Sequence, residues 1–524
     1  MATTSSPKEV IELVERFDRN RDSYLAGGIN GTRLRHSGDG QAGGGRSREV
    51  TKEDFQMKTM IAVLLVLFLL SFGQAQQTWT KTYGGWSSDE GRTIQQTLDG
   101  GYIVAGYTWS FGAGHDDVYL IKIDASGDAQ WSRTYGGTGE DEGWSVRQTS
   151  DSGYIVAGWA YFGDGYVYLI KTDASGDTQW TRTYGGGNDF GYSVQQTSDG
   201  GYIVVGGTYS FGAGDCDVYL INTNASGDTQ WTRTYGGTDD DWGNSVVQTS
   251  DGGYIIAGMT ASKGAGWADV YLIKTNASGD TQWTRTYGGT DWDEGSSVRQ
   301  TTDSGYIVAG WTKSFGAGGY DVCLIKTNAS GDTQWTRTYG GDSDDVGHSV
   351  RQTSDGGYIV AGYTWSFGAG DCDVYLIRTN AFGDTQWTRT YGGTGYDWGN
   401  SILQTLDGGY IVAGLTNSFG AGDFDVYLIK TDDGGNTGVE EPTTPRPKNS
   451  RTALRVQPNP FSSFAVVPGH EAESFILSDV SGRKVAVGKG DRVGEGLAPG
   501  VYFLSPVARH VTPRTRPLRI VKGG

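Results

Sequence analysis

The chain has 524 residues, among them 86 glycines and 11 prolines, and its 42 basic and 60 acidic residues give a net charge of −18. This acidic balance argues against a nucleic-acid partner, because phosphate binding needs a basic surface. Three cysteines are too few for a disulfide framework, and an aromatic content of 12% argues against a disordered or collagen-like chain.

A candidate export signal lies near the N-terminus but not at it. Met57-Lys58-Thr59 precedes an apolar run over 61–70, and Gly73-Gln74-Ala75 forms a small-x-small site. These are the parts of a secretory signal peptide over 57–75, cleaved after Ala75. The alternative is a membrane anchor, but the run is too short for the roughly 20 residues that a span needs, so we expect no transmembrane span. We expect residues 1–56 to be an extension from a start codon assigned too early.

A repeat of about 50 residues fills the segment 76–436. Tryptophan recurs at 79, 131, 180, 231, 283, 335 and 387, with spacings of 52, 49, 51, 52, 52 and 52. Each unit contains four strand-like runs joined by Asp-Gly or Ser-Gly turns and one longer Gly-rich loop, as in Ser193–Tyr235. Such a period predicts an all-β fold built from propeller blades, and the absence of proline between 76 and 436 suits paired strands.

The strand count predicts how the ring closes. The segment begins with a lone Trp strand at 77–83 and ends with a three-strand unit at 401–432 that has no Trp strand after it. Pairing these two ends completes seven four-stranded blades and removes an exposed sheet edge. An open solenoid is the alternative, but it usually carries distinct caps. The sequence therefore predicts a seven-bladed β-propeller closed by an N-terminal strand, with the Trp strands outermost and runs such as Ser193–Thr197 innermost.

The repeat resembles a known family. Tyr-Gly-Gly, Ser-Asp-Gly-Gly-Tyr-Ile-Val-Ala-Gly and Leu-Ile-Lys-Thr-Asp recur over 77–432, and this pattern is similar to the repeats of secreted bacterial and archaeal β-propeller proteins. The resemblance implies export and a propeller fold, and it carries no assigned activity. The turn at 173–180 is also similar to the Gly-then-Trp turn of quinoprotein propellers, but no cofactor-pocket signature accompanies it, and we expect no cofactor.

The C-terminal region differs in composition from the repeats. Residues 437–450 form a Pro-rich linker, and 451–524 contain Pro458-Asn-Pro-Phe461, a Leu477–Val485 segment and a Leu497–Leu504 segment. Their order resembles the C-terminal sorting domain of the type IX secretion system. The resemblance implies that 451–524 engage an export machinery and that the protein is secreted or held at the outer cell surface. Turn residues between the apolar runs predict a small β-sandwich.

Two acidic columns repeat through the blades and have two interpretations. The first column lies in the loop after each Trp strand, at Asp89, Asp141, Asp189, Asp241, Asp293, Asp345 and Asp397. The second precedes the third strand, at Asp117, Asp217, Asp269, Asp321, Asp373 and Asp425. They could form a cation ring or an acidic recognition surface, but a feature needed in every blade favours local turns in which the carboxylate accepts backbone N–H groups. No loop matches a calcium motif, so we expect no metal.

The candidate ligand site lies on the face of the ring that carries the long, variable loops. We select Trp109, Trp242, Trp365, Trp398, Asp241 and Asp397 as ligand-binding candidates, because indole rings beside carboxylates suit stacking on sugars and accepting their hydroxyl groups. The alternative is that these tryptophans only pack over the blade tops. We expect His115 and His348 to lie in solvated loops, and we select no catalytic residue.

Three functions remain open. A non-enzymatic binding or adhesion scaffold for a glycan or protein partner is the favoured interpretation. A glycan-active hydrolase or lyase would need two carboxylates near a pocket that differ from the residues at the same positions in the other blades. The repeated columns do not single out such a pair. A structural surface-layer component is the third interpretation.

Overall fold

The computed structural model describes residues 77–438, 474–478, 484–489, 492–493, 495, 497–506 and 518–522, and its regular structure is entirely β-strand. The predictions for 1–56, for the signal peptide over 57–75 and for most of the 437–450 linker concern residues outside these ranges. Within them, no helix is long and apolar enough to cross a membrane.

The strands of the repeat region follow in chain order. They are β1 (Trp79–Tyr83), β2 (Asp89–Gln96), β3 (Tyr102–Thr108), β4 (Asp117–Ile123), β5 (Ala129–Tyr135), β6 (Asp141–Gln148), β7 (Tyr154–Tyr161), β8 (Gly165–Thr172), β9 (Thr178–Tyr184), β10 (Asp189–Gln196), β11 (Tyr202–Thr208), β12 (Asp217–Thr223), β13 (Thr229–Tyr235) and β14 (Asp241–Gln248). They continue as β15 (Tyr254–Thr260), β16 (Asp269–Thr275), β17 (Thr281–Tyr287), β18 (Asp293–Gln300), β19 (Tyr306–Thr312), β20 (Asp321–Thr327), β21 (Thr333–Tyr339), β22 (Asp345–Gln352), β23 (Tyr358–Thr364), β24 (Asp373–Thr379), β25 (Thr385–Tyr391), β26 (Asp397–Gln404), β27 (Tyr410–Thr416) and β28 (Asp425–Thr431).

These strands form seven antiparallel four-stranded sheets, which we number blades 1 to 7. Blades 1 to 6 each take four consecutive strands, from β2–β5 to β22–β25, and blade 7 has the order β1-β28-β27-β26. In blade 7 the first described strand pairs with the last strand of the repeats, from Trp79 opposite Lys430 to Tyr83 opposite Val426. The predicted seven-bladed propeller closed by an N-terminal strand is confirmed.

The inner strands form the wall of a central channel. The first strands of neighbouring blades contact one another around the whole ring, and β26 contacts β2 where the chain ends meet. A serine hydroxyl links six of the seven pairs: for example, Val194 N–H donates to Ser145 Oγ at 3.1 Å, and Ile94 N–H donates to Ser401 Oγ at 3.4 Å across the closure. The Trp strands are outermost, as predicted.

Each blade buries both faces of its middle strands against its neighbours. Ile103 and Leu120 of blade 1 pack with Val146 and Tyr154 of blade 2, and all four are almost fully buried. Strands that are covered on both sides have to be apolar on both sides, which accounts for runs such as Tyr-Ile-Val-Val in β11. The apolar core is therefore a set of layers between blades.

The outer strand of each blade docks on a glycine turn of the next blade. Gly227 has a φ of +80°, and a Cβ there would lie 2.8 Å from Cζ3 of Trp180, so the ring covers a position that only glycine fits. Tyr184 Oη donates to Gly227 O at 2.6 Å. Trp79 and Tyr83 make the same contacts with Gly127, so the chain ends repeat the contact found within the chain.

The C-terminal region contains a separate antiparallel sheet. Its strands are β29 (Ser474–Ser478), β30 (Lys484–Lys489), β31 (Gly500–Pro506) and β32 (Leu518–Lys522), in the order β30-β29-β31-β32. Phe475 and Leu477 are buried on one side of it. The described residues form this one sheet, so the second layer of the predicted sandwich stays a prediction.

The short turns on one face of the propeller are held by buried cations. Asp151 accepts hydrogen bonds from Thr149 Oγ1, Gly153 N–H and the buried Lys171 Nζ, the last at 2.9 Å. Burial opposes ionisation of Asp151, but the hydrogen bonds from Thr149 and Lys171 outweigh it and lower its pKa to about 2. A Lys or Arg pairs with this Asp in six blades, whereas blade 3 has Asn222 in place of the cation.

Blade 3 provides a matched control for these ion pairs. Asp199 makes the same turn contacts as Asp151, with Thr197 Oγ1 and Gly201 N–H, but faces no lysine. We expect Asp151→Asn to lower the free energy of unfolding by about 1–3 kcal/mol more than Asp199→Asn. The reason is that it leaves the buried ammonium group of Lys171 without its counter-charge. Urea unfolding of the two variants measures the difference. Equal losses of unfolding free energy would show that the ion pair does not contribute to stability.

Ring closure is tested by removing β1. A chain that begins at residue 86 lacks the outer strand of blade 7, whereas a control chain that begins at residue 76 retains it. We expect the shorter chain to lose at least about 3 kcal/mol of stability, since the loss of a buried Trp alone costs that much. We also expect it to self-associate through the bare edge of β28. Thermal unfolding and light scattering check both effects, and an unchanged monomer would contradict shared closure.

Candidate binding site in the central channel

Each inner strand carries a β-bulge and begins with the pattern Asp-x-Gly-x-Ser, except that blade 1 has Thr93 in place of the serine. In β14, Gly243 pairs with Gly258 and Ser245 pairs with Ala257, so Asn244 is the extra residue between them. The same irregularity occurs in the inner strand of every blade. A bulge re-aims a side chain without breaking the sheet. The fourth residue of the pattern therefore lines the channel in every blade, and three of the second residues, Trp242, Glu294 and Trp398, line it as well.

This geometry corrects the placement of the first acidic column. Its aspartates are the first residues of the inner strands, not loop residues, and Trp242 and Trp398 follow them as second residues. The bulge and the glycine interrupt the alternation by which a strand is recognised in sequence. The glycine itself is required by a close approach, since a Cβ on Gly243 would lie 2.6 Å from Val205 of the preceding blade.

The inner strands enclose a cavity of about 550 Å³. It is lined by side chains from all seven blades. They are Arg92, Thr93, Trp144, Ser145, Arg147, Tyr192, Ser193, Trp242, Asn244, Ser245, Met259, Glu294, Ser296, Ser297, Arg299, Trp311, His348, Ser349, Arg351, Tyr363, Trp398, Asn400 and Ser401. The volume is in the range of small-molecule sites, and aromatic walls with a few polar groups are typical of such sites.

One wall of the cavity is a connected series of aromatic rings. Trp144 packs edge-on against Tyr192 with ring centroids 5.1 Å apart, and Tyr192 contacts Trp242 at 5.9 Å. Arg92 lies over the Trp144 ring at 4.3 Å and forms an ion pair with Glu90 at 2.9 Å, so its charge has a counter-charge within the protein. The contacts hold the rings in fixed orientations, so this wall presents a flat apolar surface to the cavity.

Polar groups face the aromatic rings from the inner strands. Asn244 Nδ2 donates to Glu294 Oε1 at 2.8 Å, and burial raises the pKa of Glu294 to about 7 although this hydrogen bond opposes it. On the other side, Tyr363 stacks on Trp398 with centroids 4.8 Å apart. Amide and carboxyl groups next to ring faces can hydrogen-bond the hydroxyl groups of a ligand that stacks on those rings.

The structure separates the four predicted tryptophans into two pairs. Trp242 and Trp398 lie in the channel, whereas Trp109 and Trp365 lie in the loops between second and third strands and are 49% and 43% exposed. Trp109 contacts His115, and Trp365 contacts Tyr396 at a centroid distance of 5.4 Å. The loop pair belongs to the rim of the long-loop face and not to the cavity lining. Ligand binding by all four stays a prediction.

The two predicted aspartates are fully buried within their blades. Asp241 Oδ2 accepts from Gly237 N–H at 2.8 Å and from Ser262 Oγ at 2.7 Å. Asp397 accepts the equivalent hydrogen bonds from Gly393 and Ser418. These contacts hold the long loops on the blade. A part for either carboxylate in direct ligand binding stays a prediction.

The second acidic column also makes local turns. Asp217 Oδ2 accepts from the backbone N–H groups of Ala213 at 2.7 Å and Gly214 at 3.3 Å, which supports the turn interpretation over a recognition surface. In the described part of the chain, no group of three or more His, Cys, Asp or Glu side chains could hold a metal ion. Cys216, Cys323 and Cys372 are buried free thiols.

Sequence reasoning missed most of the cavity lining. His348 was expected in a solvated loop but is the bulge residue of β22, where its Nδ1 lies 3.0 Å from Asn400 Oδ1. The available signal was the bulge column itself. It reads Arg92, Trp144, Tyr192, Asn244, Ser296, His348 and Asn400, between an invariant glycine and a nearly invariant serine.

The comparisons with known proteins assign no family. No family model matches the chain. The regulatory protein FlaEY of Caulobacter vibrioides is 28% identical over 114 residues, which cover 19% of this chain and 12% of that protein. Among solved structures, Sqt1 from Chaetomium thermophilum aligns over 65% of this chain and 83% of its own at 11% identity and a TM-score of 0.40. BamB from Moraxella catarrhalis aligns over 68% and 99% at 12% identity and a TM-score of 0.39.

The structure predicts a neutral His348 at acidic pH. Burial lowers its pKa to about 4, which the hydrogen bond with Asn400 opposes and the charge of Arg92 reinforces. Asn400 Nδ2 donates to Gly91 O, so its Oδ1 accepts from His348 Nδ1–H. Because the unfolded chain protonates near 6.5, the contribution of His348 to stability is lost as the pH falls from about 6.5 toward 4.

Nitrogen NMR of histidine-labelled protein tests this state, with His348→Gln used for assignment. We expect a neutral ring with its proton on Nδ1 at about pH 5.5, below the ordinary histidine pKa. Asn400→Asp should raise the pKa of His348 by about 1 to 3, because it places a carboxylate beside the imidazole. A cationic His348 at that pH in the unmodified protein would contradict the buried, neutral assignment.

Proposed function

We propose that this protein is a secreted or cell-surface, non-enzymatic propeller that binds a glycan or protein partner at its channel and long-loop face. The observation that carries the proposal is the bulge column. It holds six different residue types in seven blades, while the residues on either side hardly change. Variation at positions that line a cavity, next to residues that repeat, is typical of recognition.

The rim of the long-loop face supports the same assignment. Among the described residues, the exposed aromatic side chains of the propeller concentrate there: Trp86, Trp109, Phe111, Tyr161, Phe162, Tyr209, Phe211, Trp267, Trp292, Phe315, Trp365 and Phe367. On the short-turn face the exposed aromatic residue is Phe382. Exposed aromatic groups concentrated on one face of a protein are typical of an interaction surface.

The acid content of the cavity favours binding over hydrolysis. Glu294 is the one carboxylate among the described cavity-lining side chains. Glycoside hydrolysis ordinarily uses two carboxyl groups, roughly 5–10 Å apart, on either side of the scissile bond. The aromatic rings beside Asn244, Asn400 and Glu294 instead suit the stacking and hydrogen bonding of an intact sugar chain.

Export belongs to the proposal as well. It rests on the signal-like segment 57–75 and on the sorting-domain motifs within 451–524, which together predict passage out of the cell. An extracellular setting suits a protein that presents a rim of aromatic residues to a glycan or to another protein.

A screen of glycans and glycosidase substrates with the full chain tests the proposal. With the best glycan found, we expect Trp242→Ala and Trp398→Ala each to weaken binding at least about tenfold, since Trp side chains are common binding hot spots. Trp109→Ala and Trp365→Ala test whether the rim of the long-loop face contributes to glycan affinity. Asp241→Asn should lower the stability of the protein more than its affinity for the glycan.

Phe382→Ser is the matched control, because most other blades have serine at this turn position and the side chain is exposed on the short-turn face. It should leave binding unchanged. Turnover of any substrate would replace the proposal by an enzyme. Unchanged affinity in the tryptophan variants together with a loss in Phe382→Ser would overturn the choice of face, and absence of binding to any glycan or protein would favour a structural surface-layer role.

A further inference from the structure

Three arginines occupy the same position in three inner strands. Arg147, Arg299 and Arg351 are each the seventh residue of their strand, in blades 2, 5 and 6. All three line the central cavity. The other blades have Gln95, Gln195, Val247 and Leu403 at this position, so the fold does not need a cation there.

The three side chains meet at one end of the channel. Each inner strand runs from the long-loop face, where its first residue lies, to a short turn, so a seventh residue lies near the short-turn face. Blades 5 and 6 are neighbours, and blade 2 stands three blades away from each around the ring. Arg147 therefore faces Arg299 and Arg351 from the opposite wall.

Most of the guanidinium donors have no acceptor among the described residues. In each arginine, Nη1 donates to the carbonyl oxygen of the preceding valine, at distances of 2.6 to 2.8 Å. Arg351 Nη1 also donates a long hydrogen bond to Ser349 Oγ, at 3.5 Å. No carboxylate among the described residues forms an ion pair with any of the three. Each guanidinium has five N–H groups, so several on each side chain remain for another acceptor.

The three guanidinium charges destabilise the fold when no anion is bound between them. Burial lowers the pKa of Arg147, Arg299 and Arg351, and repulsion from Arg147 adds to the effect at the other two. The cavity lining contains four arginines and one glutamate, although the whole chain carries a net charge of −18. Unpaired charges in a partly buried channel destabilise a fold unless an ion of opposite charge compensates them.

We infer that the short-turn end of the channel is a binding site for a compact oxyanion, a carboxylate, sulfate or phosphate group, held by Arg147, Arg299 and Arg351. Planar guanidinium forks match such groups and bind them with charge-assisted hydrogen bonds. The bulge residues lie three positions earlier on the same strands, roughly 10 Å away at the ordinary rise of a strand. A chain of acidic sugars could stack on the aromatic wall while its anionic group reaches the arginines. The identity of this larger ligand rests on the proposed function, whereas the anion site does not.

The experiment measures binding of glucuronate, inorganic sulfate and inorganic phosphate to the full chain by calorimetry, with glucose as the uncharged match for glucuronate. Arg299→Gln and Arg351→Gln remove the charge and insert the residue that blades 1 and 3 carry at this position. Arg285→Gln is the control, because Arg285 lies on the outer strand β17, where it pairs with Asp332.

We expect at least one anion to bind the unmodified protein saturably and glucose to bind more weakly than glucuronate. Each channel variant should weaken anion binding at least about tenfold, the size of a lost hydrogen bond to a charged group. Arg285→Gln should change nothing. The anion that binds most tightly identifies whether the site takes a carboxylate, a sulfate or a phosphate.

Thermal unfolding in anion-poor buffer separates binding from a structural role. Relief of repulsion should raise the melting temperature of Arg351→Gln, whereas a side chain that only braces the strand would lower it. Equal affinity for glucose and every anion, or variants that bind as the unmodified protein does, would overturn the inference. Failure of all anions alongside a positive glycan screen would remove this site and leave the proposed function intact. Anion binding together with a negative glycan screen would support the anion site and leave glycan binding unsupported.

Discussion

Face-to-face packing between neighbouring blades is the interaction on which the rest of this structure depends. The middle strands are apolar on both sides, so a blade is stable only when a neighbour covers each of its faces. The first and last blades can satisfy this requirement only with each other. β1 completes blade 7 and docks Trp79 on Gly127 of blade 1, which makes the junction of the chain ends equivalent to the other interfaces.

This packing decides which positions are free to differ between blades. The buried residues of the inner strands hardly change, because each contacts a neighbouring blade: the aspartate, the glycine, the serine and the following Val or Ile. The bulge residues, together with some of the second and seventh residues, line the channel instead, and these positions differ from blade to blade. The bulge adds a side chain to the channel in every blade without loss of sheet register beyond it. A repetitive sequence thereby builds a cavity with little internal symmetry.

Charge follows the same division between scaffold and channel. The repeated aspartates satisfy backbone N–H groups and hydroxyl groups in the turns and loops, and those of the Asp-Gly turns pair with buried lysines in most blades. Their regularity therefore reflects blade stability. The channel arginines are irregular instead, with Gln195 and Leu403 among their equivalents. The proposed binding sites therefore rest on departures from the repeat and not on the abundance of charge.

The sequence alone determined the blade count, the strand order and the closure, because these follow from a tryptophan period, turn residues and an orphan strand at each end. It also predicted that a ligand meets the long-loop face, which stays a prediction. Only the tertiary structure placed Trp242 and Trp398 in the channel and brought Arg147 together with Arg299 and Arg351, which lie about 150 and 200 residues away along the chain. A bulge does not show in sequence periodicity, and residues on opposite walls become neighbours only when the ring closes, so no local pattern could have joined them.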